Sequence, residues 1–226
     1  MKEEILMKFV PTFVSNYFFK RKNLNIGISS HKTFFDQTFS VCVGSLIASG
    51  FNPNNIYIFI GGYEGAYEKI NVDYGIHAFR CPHNSFDFTS LVSIIELDMV
   101  KLNWFLIHDT TQFDGDFKKK LSRAIFFRKK KLHVWPSMSI GCYDDRAFVL
   151  AISRLEEIKN LTKEDCVNRE DIFIKHLPCI CKTVENLGPS DVYGTGVMRH
   201  VEYYEAAGLK KNKANKDMNE SWITDV

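Results

Sequence analysis

The chain lacks a long hydrophobic run, a cysteine framework and a strong charge of either sign. Each absence excludes something. The apolar stretch near the N-terminus, ILMKFVPTFVSNYFF from Ile5, is interrupted by Lys8 and Pro11. It is too short and broken for a transmembrane helix, and no small-residue cleavage site of a signal peptide follows it. A lead-in segment over residues 1–22, packed on the domain, is expected; a membrane-surface role is the alternative. The six cysteines, Cys42, Cys81, Cys142, Cys166, Cys179 and Cys181, show no zinc-finger spacing and no C-x-x-C pair. Reduced, mostly buried thiols in a cytoplasmic protein are expected. The formal net charge of +2 offers no general affinity for nucleic acid, and no nucleic-acid-binding motif accompanies it. Internal repeats, low-complexity linkers, G-x-G-x-x-G and the P-loop are also missing, which disfavours dinucleotide-dependent dehydrogenases and P-loop kinases.

What is present suits one domain. The chain has 226 residues, and 45% of them are hydrophobic, enough for a sizeable core. Asn23 to Ser30 (NLNIGISS) predicts a first strand. Phe35, Phe39, Cys42 and Leu46 share one face of a helix over Thr33 to Ser49, which Gly50 stops. Ile56 to Ile60 (IYIFI) reads as a strand buried on both faces, and Ile76 to Phe79 as a short third strand. Phe88, Leu91, Val92, Ile95 and Met99 make the stripe of a second helix, and Trp104 to Ile107 is the fourth strand. This alternation predicts an α/β fold with a mainly parallel sheet flanked by helices.

In such sheets ligands bind outside the carboxyl ends of the strands. Four loops therefore matter: Ser29–His31, Gly61–Glu64, Pro82–Phe86 and His108–Thr111. The fourth strand closes on His108 and Asp109, which are expected to point into the open. Asp109 is either a divalent-cation ligand or the cap of a turn. Further on, Asp144 or Asp145 is expected to cap a helix with the stripe Phe148, Ile152, Leu155 and Ile158, and Glu164 to Leu177 to form another. Residues 117–131 hold eight Lys or Arg around Phe126 and Phe127. They form either a solvated face or a peripheral membrane contact. Residues 216–226 are expected to be a mobile tail.

The layout IGISSHKTFF, then IYIFIGGYEG, then His108-Asp109-Thr110 resembles the GT-A class of nucleotide-sugar glycosyltransferases. The likeness spans residues 23–215 and extends to small enzymes that build surface glycans in bacteria and large DNA viruses. Nucleotidylyltransferases of the same general order carry a Gly-rich N-terminal signature that this chain lacks. The resemblance implies the GT-A fold and a nucleoside-diphosphate sugar as donor, a UDP-sugar first among candidates. It implies a hydroxyl of a glycan or other molecule as acceptor, and inverting transfer. The family's Asp-x-Asp motif binds Mn²⁺ or Mg²⁺ and the diphosphate. Here Asp109 matches one of its carboxylates, and Thr110 or a water takes the place of the other. Ser29, His31, Glu64, Asn84, His108 and Thr110 are the implied nucleotide contacts. Asp171, with Glu170 beside it, matches the general base that deprotonates the acceptor. Late in the chain, His200 is the implied second metal ligand, and Arg199, Lys211 and Lys213 the implied cations near the leaving diphosphate. A C-terminal segment that folds back over the diphosphate is a further implied feature. A non-catalytic sugar-nucleotide-binding or partner-binding module is the alternative.

Overall fold

The computed structural model describes residues 24–101, 103–119, 121, 141–143, 145–169 and 209–211. Its centre is a six-stranded sheet. Strand β1 (Asn25–His31) is flanked by β2 (Ile56–Gly61) on one side and β5 (Trp104–His108) on the other. Beyond β2 lie β4 (His77–Arg80) and then the edge strand β3 (Glu68–Ile70). Beyond β5 lies β7 (Gly141–Tyr143). Strands β1, β2, β4 and β5 run parallel, whereas β3 and β7 are antiparallel to their neighbours. The coarse expectation, a mixed α/β fold around a mostly parallel sheet, holds.

Helix α1 (Phe35–Ala48) connects β1 to β2, and α2 (Thr89–Glu96) leads into β5. The β1–β2 and β4–β5 connections step in opposite directions across the sheet, and right-handed crossovers then place the two helices on opposite faces. The expected face of α1 is buried at Phe39, Cys42 and Leu46, with Phe35 partly so. The helix ends as its sequence predicts. Gly50 has φ +98°, its amide donates to Ile47 O, and the Phe51 amide reaches back to Leu46 O. Both backbone bonds and the buried Phe51–Leu46 pair belong to one C-terminal capping motif. On the other face α2 approaches β1 closely at Gly27. A Cβ there would meet Ile94 Cδ1 of the helix at 3.4 Å, in contact, and would lie 2.7 Å from Leu106 Cδ2 on the neighbouring strand, which would have to shift.

The isoleucines and aromatics of the predicted strands, Ile26, Ile28, Ile56, Ile58, Phe59, Phe105 and Ile107, are fully buried between the layers. Four short strands were not predicted. β3 is too charged to read as a strand, and β7 lies in what reads as a loop. The last two, β6 (Thr111–Phe113) and β8 (Leu209–Lys211), form a separate antiparallel ribbon.

The expected helix from Asp145 breaks at Arg154, giving α3 (Asp145–Ser153) and α4 (Leu155–Ile158). The buried residues are Phe148, Ala151 and Ile158, so Ala151 replaces the expected Ile152. Helix α5 (Lys163–Asn168) starts at Thr162, whose hydroxyl accepts from the Asp165 amide while the Asp165 carboxylate accepts from the Thr162 amide. Arg169 is a turn, and the expected 164–177 helix from residue 170 on lies outside the described residues. No helix among the described residues is long and apolar enough to cross a membrane.

Candidate functional site

Strand order reverses at β1. The chain moves from β1 to β2 and β4, then returns to the other side of β1 as β5. Helices leaving in opposite directions open a crevice at such a switch point, at the carboxyl ends of the strands. The residues there are Ser29, Ser30 and His31 from β1, His108 at the end of β5, and Asp109 and Thr110 in the turn after it, with Ser29 paired opposite His108.

Strand alternation sends neighbours to opposite faces. On the α1 side, the Asp109 carboxylate accepts from Ser30 Oγ at 2.6 Å and Thr38 Oγ1 at 2.7 Å, both at Oδ2. On the α2 side, Ser29 Oγ donates to Asp87 O at 2.9 Å and lies 2.8 Å from Ser90 Oγ. The His108 ring lies on this side too, its Nδ1 3.8 Å from Asp87 Oδ1. The expectation that His108 and Asp109 stand in the open is corrected: they are 4% and 7% exposed. The reason is that both layers reach the end of β5 and cover it with polar partners. Burial first, then the Asp109 charge, push the nearby Cys42 thiol well up.

A metal site does not follow from these residues alone. A divalent cation of the Mg²⁺ or Mn²⁺ type takes several hard oxygen ligands. Here one carboxylate oxygen already receives two hydroxyls, and no group of three or more His, Cys, Asp or Glu that could hold a metal occurs among the described residues. The second implied ligand, His200, lies outside the described residues, as do Glu170, Asp171, Arg199 and Lys213.

The other implied contacts are spread along the same edge. His31 lies flat on Phe86, with ring centroids 5.2 Å apart and planes at 15°. Its Nδ1 accepts the Thr33 amide, which puts the ring proton on Nε2. Gly62 meets it closely: a Cβ there would lie 2.6 Å from His31 Nε2, and φ is +88°. Glu64 is exposed on the following loop. Asn84 is tied to the loop after α4, its backbone N–H donating to Asn160 Oδ1 and its backbone carbonyl accepting from the Leu161 amide. Thr110 is half-buried in the turn after β5. Lys211 is brought near it, because β8 pairs with β6 in the register Thr111–Lys211. The basic segment begins by anchoring in the core, with Phe117 and Leu121 buried; residues 122–131 lie outside the described residues.

Sequence reasoning missed a polar network just past β4. His83 is 2% exposed and is surrounded by hydroxyls. Its Nδ1 lies 2.9 Å from Ser85 Oγ, and its Nε2 3.0 Å from Tyr67 OH and 3.1 Å from Ser93 Oγ. Tyr67 OH donates to Glu96 Oε2, Lys159 bonds Glu96 Oε1, and Ser93 Oγ donates to Cys81 Sγ. Since Tyr67 and Ser93 donate onward, Nε2–H is the donor to them and Nδ1 accepts from Ser85. Burial, helped by Lys159, lowers the His83 pKa to about 4 against the pull of Glu96. Burial works to raise Glu96, but its bonds from Lys159 and Tyr67 outweigh this and lower it. Burial also pushes the Cys81 thiol up to about 12. The available signal was the polar run His83-Asn84-Ser85 shortly after a strand. Comparison of the chain with known protein families, with characterised proteins and with solved structures finds no match.

Proposed function

We propose that the chain is a glycosyltransferase of the GT-A type. It takes a nucleoside-diphosphate sugar, a UDP-sugar first, and transfers the sugar to an acceptor hydroxyl with inversion. The observation that carries this reading is the β6–β8 ribbon. Counted among the parallel strands, β5 is the fourth, and Asp109 follows it directly. The ribbon begins two residues later and brings the late segment that contains Lys211 back beside that turn. The arrangement supports the implied fold-back of the C-terminal segment over a diphosphate, with the positive end of the ligand cradle supplied late in the chain.

In this reading the nucleotide lies across the carboxyl ends of β1, β2 and β5, and His31, Asn84, His108 and Thr110 border it. Asp171 or Glu170 takes the acceptor proton as the hydroxyl attacks the anomeric carbon and the nucleoside diphosphate leaves. A metal at Asp109 belongs to the proposal as a question for titration. One observation favours a second reading, a non-catalytic binding module: Asp109 is buried, with two hydroxyls on one oxygen.

Calorimetric titration with UDP, GDP, CDP and dTDP, each with and without Mn²⁺, tests the proposal. Binding of one nucleotide supports it, and dependence on Mn²⁺ decides the metal. Absence of binding to all four refutes it. Slow release of sugar from a UDP-sugar then separates the transferase from the binding module.

A further inference from the structure

Three neighbouring parallel strands, β1, β2 and β4, each send one side chain from the carboxyl end to a common place. Lys32 follows β1, Tyr63 follows β2, and Arg80 closes β4. Lys32 Nζ lies 6.0 Å from the centre of the Tyr63 ring, and Arg80 Cζ 5.1 Å from it. Both cations are within reach of the ring's negative face. Backbone bonds fix two of the three positions. The Lys32 amide donates to Gly61 O at 3.1 Å, and the Tyr63 amide to Cys81 O at 3.3 Å. Register puts Arg80 on the α1 side of the sheet. It pairs with Ile60, and Ile60 with Ser30, whose hydroxyl meets Asp109 on that side. His31 shares the opposite side with Ser29 by alternation, and the His108 ring is there too.

The two cations are not fully engaged. Lys32 is exposed and pairs with no carboxylate among the described residues. Arg80 donates from one terminal nitrogen to Glu68 Oε2 at 3.0 Å, across the β3–β4 pair. Its Nε is buried without a hydrogen-bond partner, although the side chain as a whole is 43% exposed. An arginine fork takes an oxyanion through two parallel N–H groups, and the Nε edge is the one that Glu68 leaves open. A buried donor without an acceptor marks where a ligand or ordered water completes it. The half-buried Tyr63 ring adds an apolar surface between the charges. Together they fit a ligand with a cyclic body and an anionic group. A diphosphate held beside Lys211 does not reach this place. Strands β4 and β5 are three strand steps apart, about 14 Å at the usual spacing.

We propose that Lys32, Tyr63 and Arg80 bind an acidic sugar of the acceptor, a hexose that carries a carboxylate or a phosphate. The inference rests on the transferase reading above, which supplies a glycan acceptor, and adds to it the acceptor's chemical class.

The test is NMR titration of the full chain with methyl glucuronide, glucose 6-phosphate and methyl glucoside, beside calorimetry with UDP. Wild type is expected to bind one or both acidic sugars about tenfold or more tighter than the neutral glucoside, the worth of one charge-assisted hydrogen bond. The tighter of the two identifies the anionic group. Lys32→Gln and Arg80→Gln should each bring acidic and neutral sugars within about twofold and leave UDP affinity unchanged. Arg80→Lys keeps the charge without the fork and should fall between wild type and Arg80→Gln. Equal affinity for acidic and neutral sugars in wild type, or a preserved preference in both Gln variants, overturns the inference and leaves the nucleotide reading intact. A parallel loss of UDP affinity in those variants also overturns it, because the cluster then belongs to the nucleotide. Binding of an acidic sugar without binding of UDP keeps the site and overturns the transferase reading.

Discussion

Thr38 of α1 and Asp109 at the end of β5 are 71 residues apart in sequence and are joined by a hydrogen bond of 2.7 Å. With Ser30 on the same carboxylate oxygen, the bond fastens the helix after β1 to the strand on the far side of β1. A buried carboxylate keeps its charge at low cost only while such donors face it. Thr38→Val, nearly isosteric, is expected to lower stability by about 1.5–3 kcal/mol, the range for a hydrogen bond to a charged group. Urea unfolding with an unchanged slope checks this. A loss below about 0.5 kcal/mol would mean that the bond contributes nothing distinctive.

His83 makes stability depend on pH. Its pKa falls from an ordinary 6.5 to about 4 in the folded chain, mainly because burial penalises the charged ring. Between those values the unfolded chain binds more protons, so stability is full above pH 6.5 and declines as pH falls towards 4. The whole loss is about 3 kcal/mol, because each pH step between the folded and unfolded values removes about 1.36 kcal/mol. Glu96, lowered in the folded state, adds a loss in the same direction at more acid pH. His83→Gln should flatten the profile between pH 4 and 6.5 while lowering overall stability. A profile unchanged in that variant would assign the pH dependence to other groups.

Gly62 is required twice over. Its φ of +88° disfavours any side chain, and a Cβ would press on the His31 ring at 2.6 Å. Gly62→Ala is expected to cost about 1–3 kcal/mol. Adding His31→Ala should recover the steric part and leave the backbone part. Additive losses in the double-mutant cycle would show that the two residues do not meet.

The β6–β8 ribbon has three residues on each strand, too few to contribute much stability by itself. Replacing Leu209, Lys210 and Lys211 by glycine should therefore shift the melting temperature by only a few degrees, since about 1 kcal/mol corresponds to 2–4 °C in a chain of this size. On the proposed nucleotide reading, affinity for UDP should fall about tenfold or more, through loss of charge-assisted contacts to the diphosphate. Undiminished affinity would remove the ribbon from the site.

The sequence by itself determined the layers. The apolar runs of β1, β2, β4 and β5 and the stripes of α1 and α2 carry their own periodicity. Their predicted boundaries therefore lie close to the observed ones, and the parallel sheet follows. It also determined which loops gather at the carboxyl edge, since strand order and crossover hand leave little choice. Tertiary structure alone decided β3, β6, β7 and β8, which are too short or too polar to signal themselves and exist only by pairing. It also decided the fate of His108 and Asp109. Alternation along β5 turns them to opposite faces, where Asp87 meets one, and Ser30 and Thr38 meet the other. Hydrogen-bond partners drawn from distant segments leave no local pattern, so neither the burial of Asp109 nor the His83 network was legible before the chain was folded.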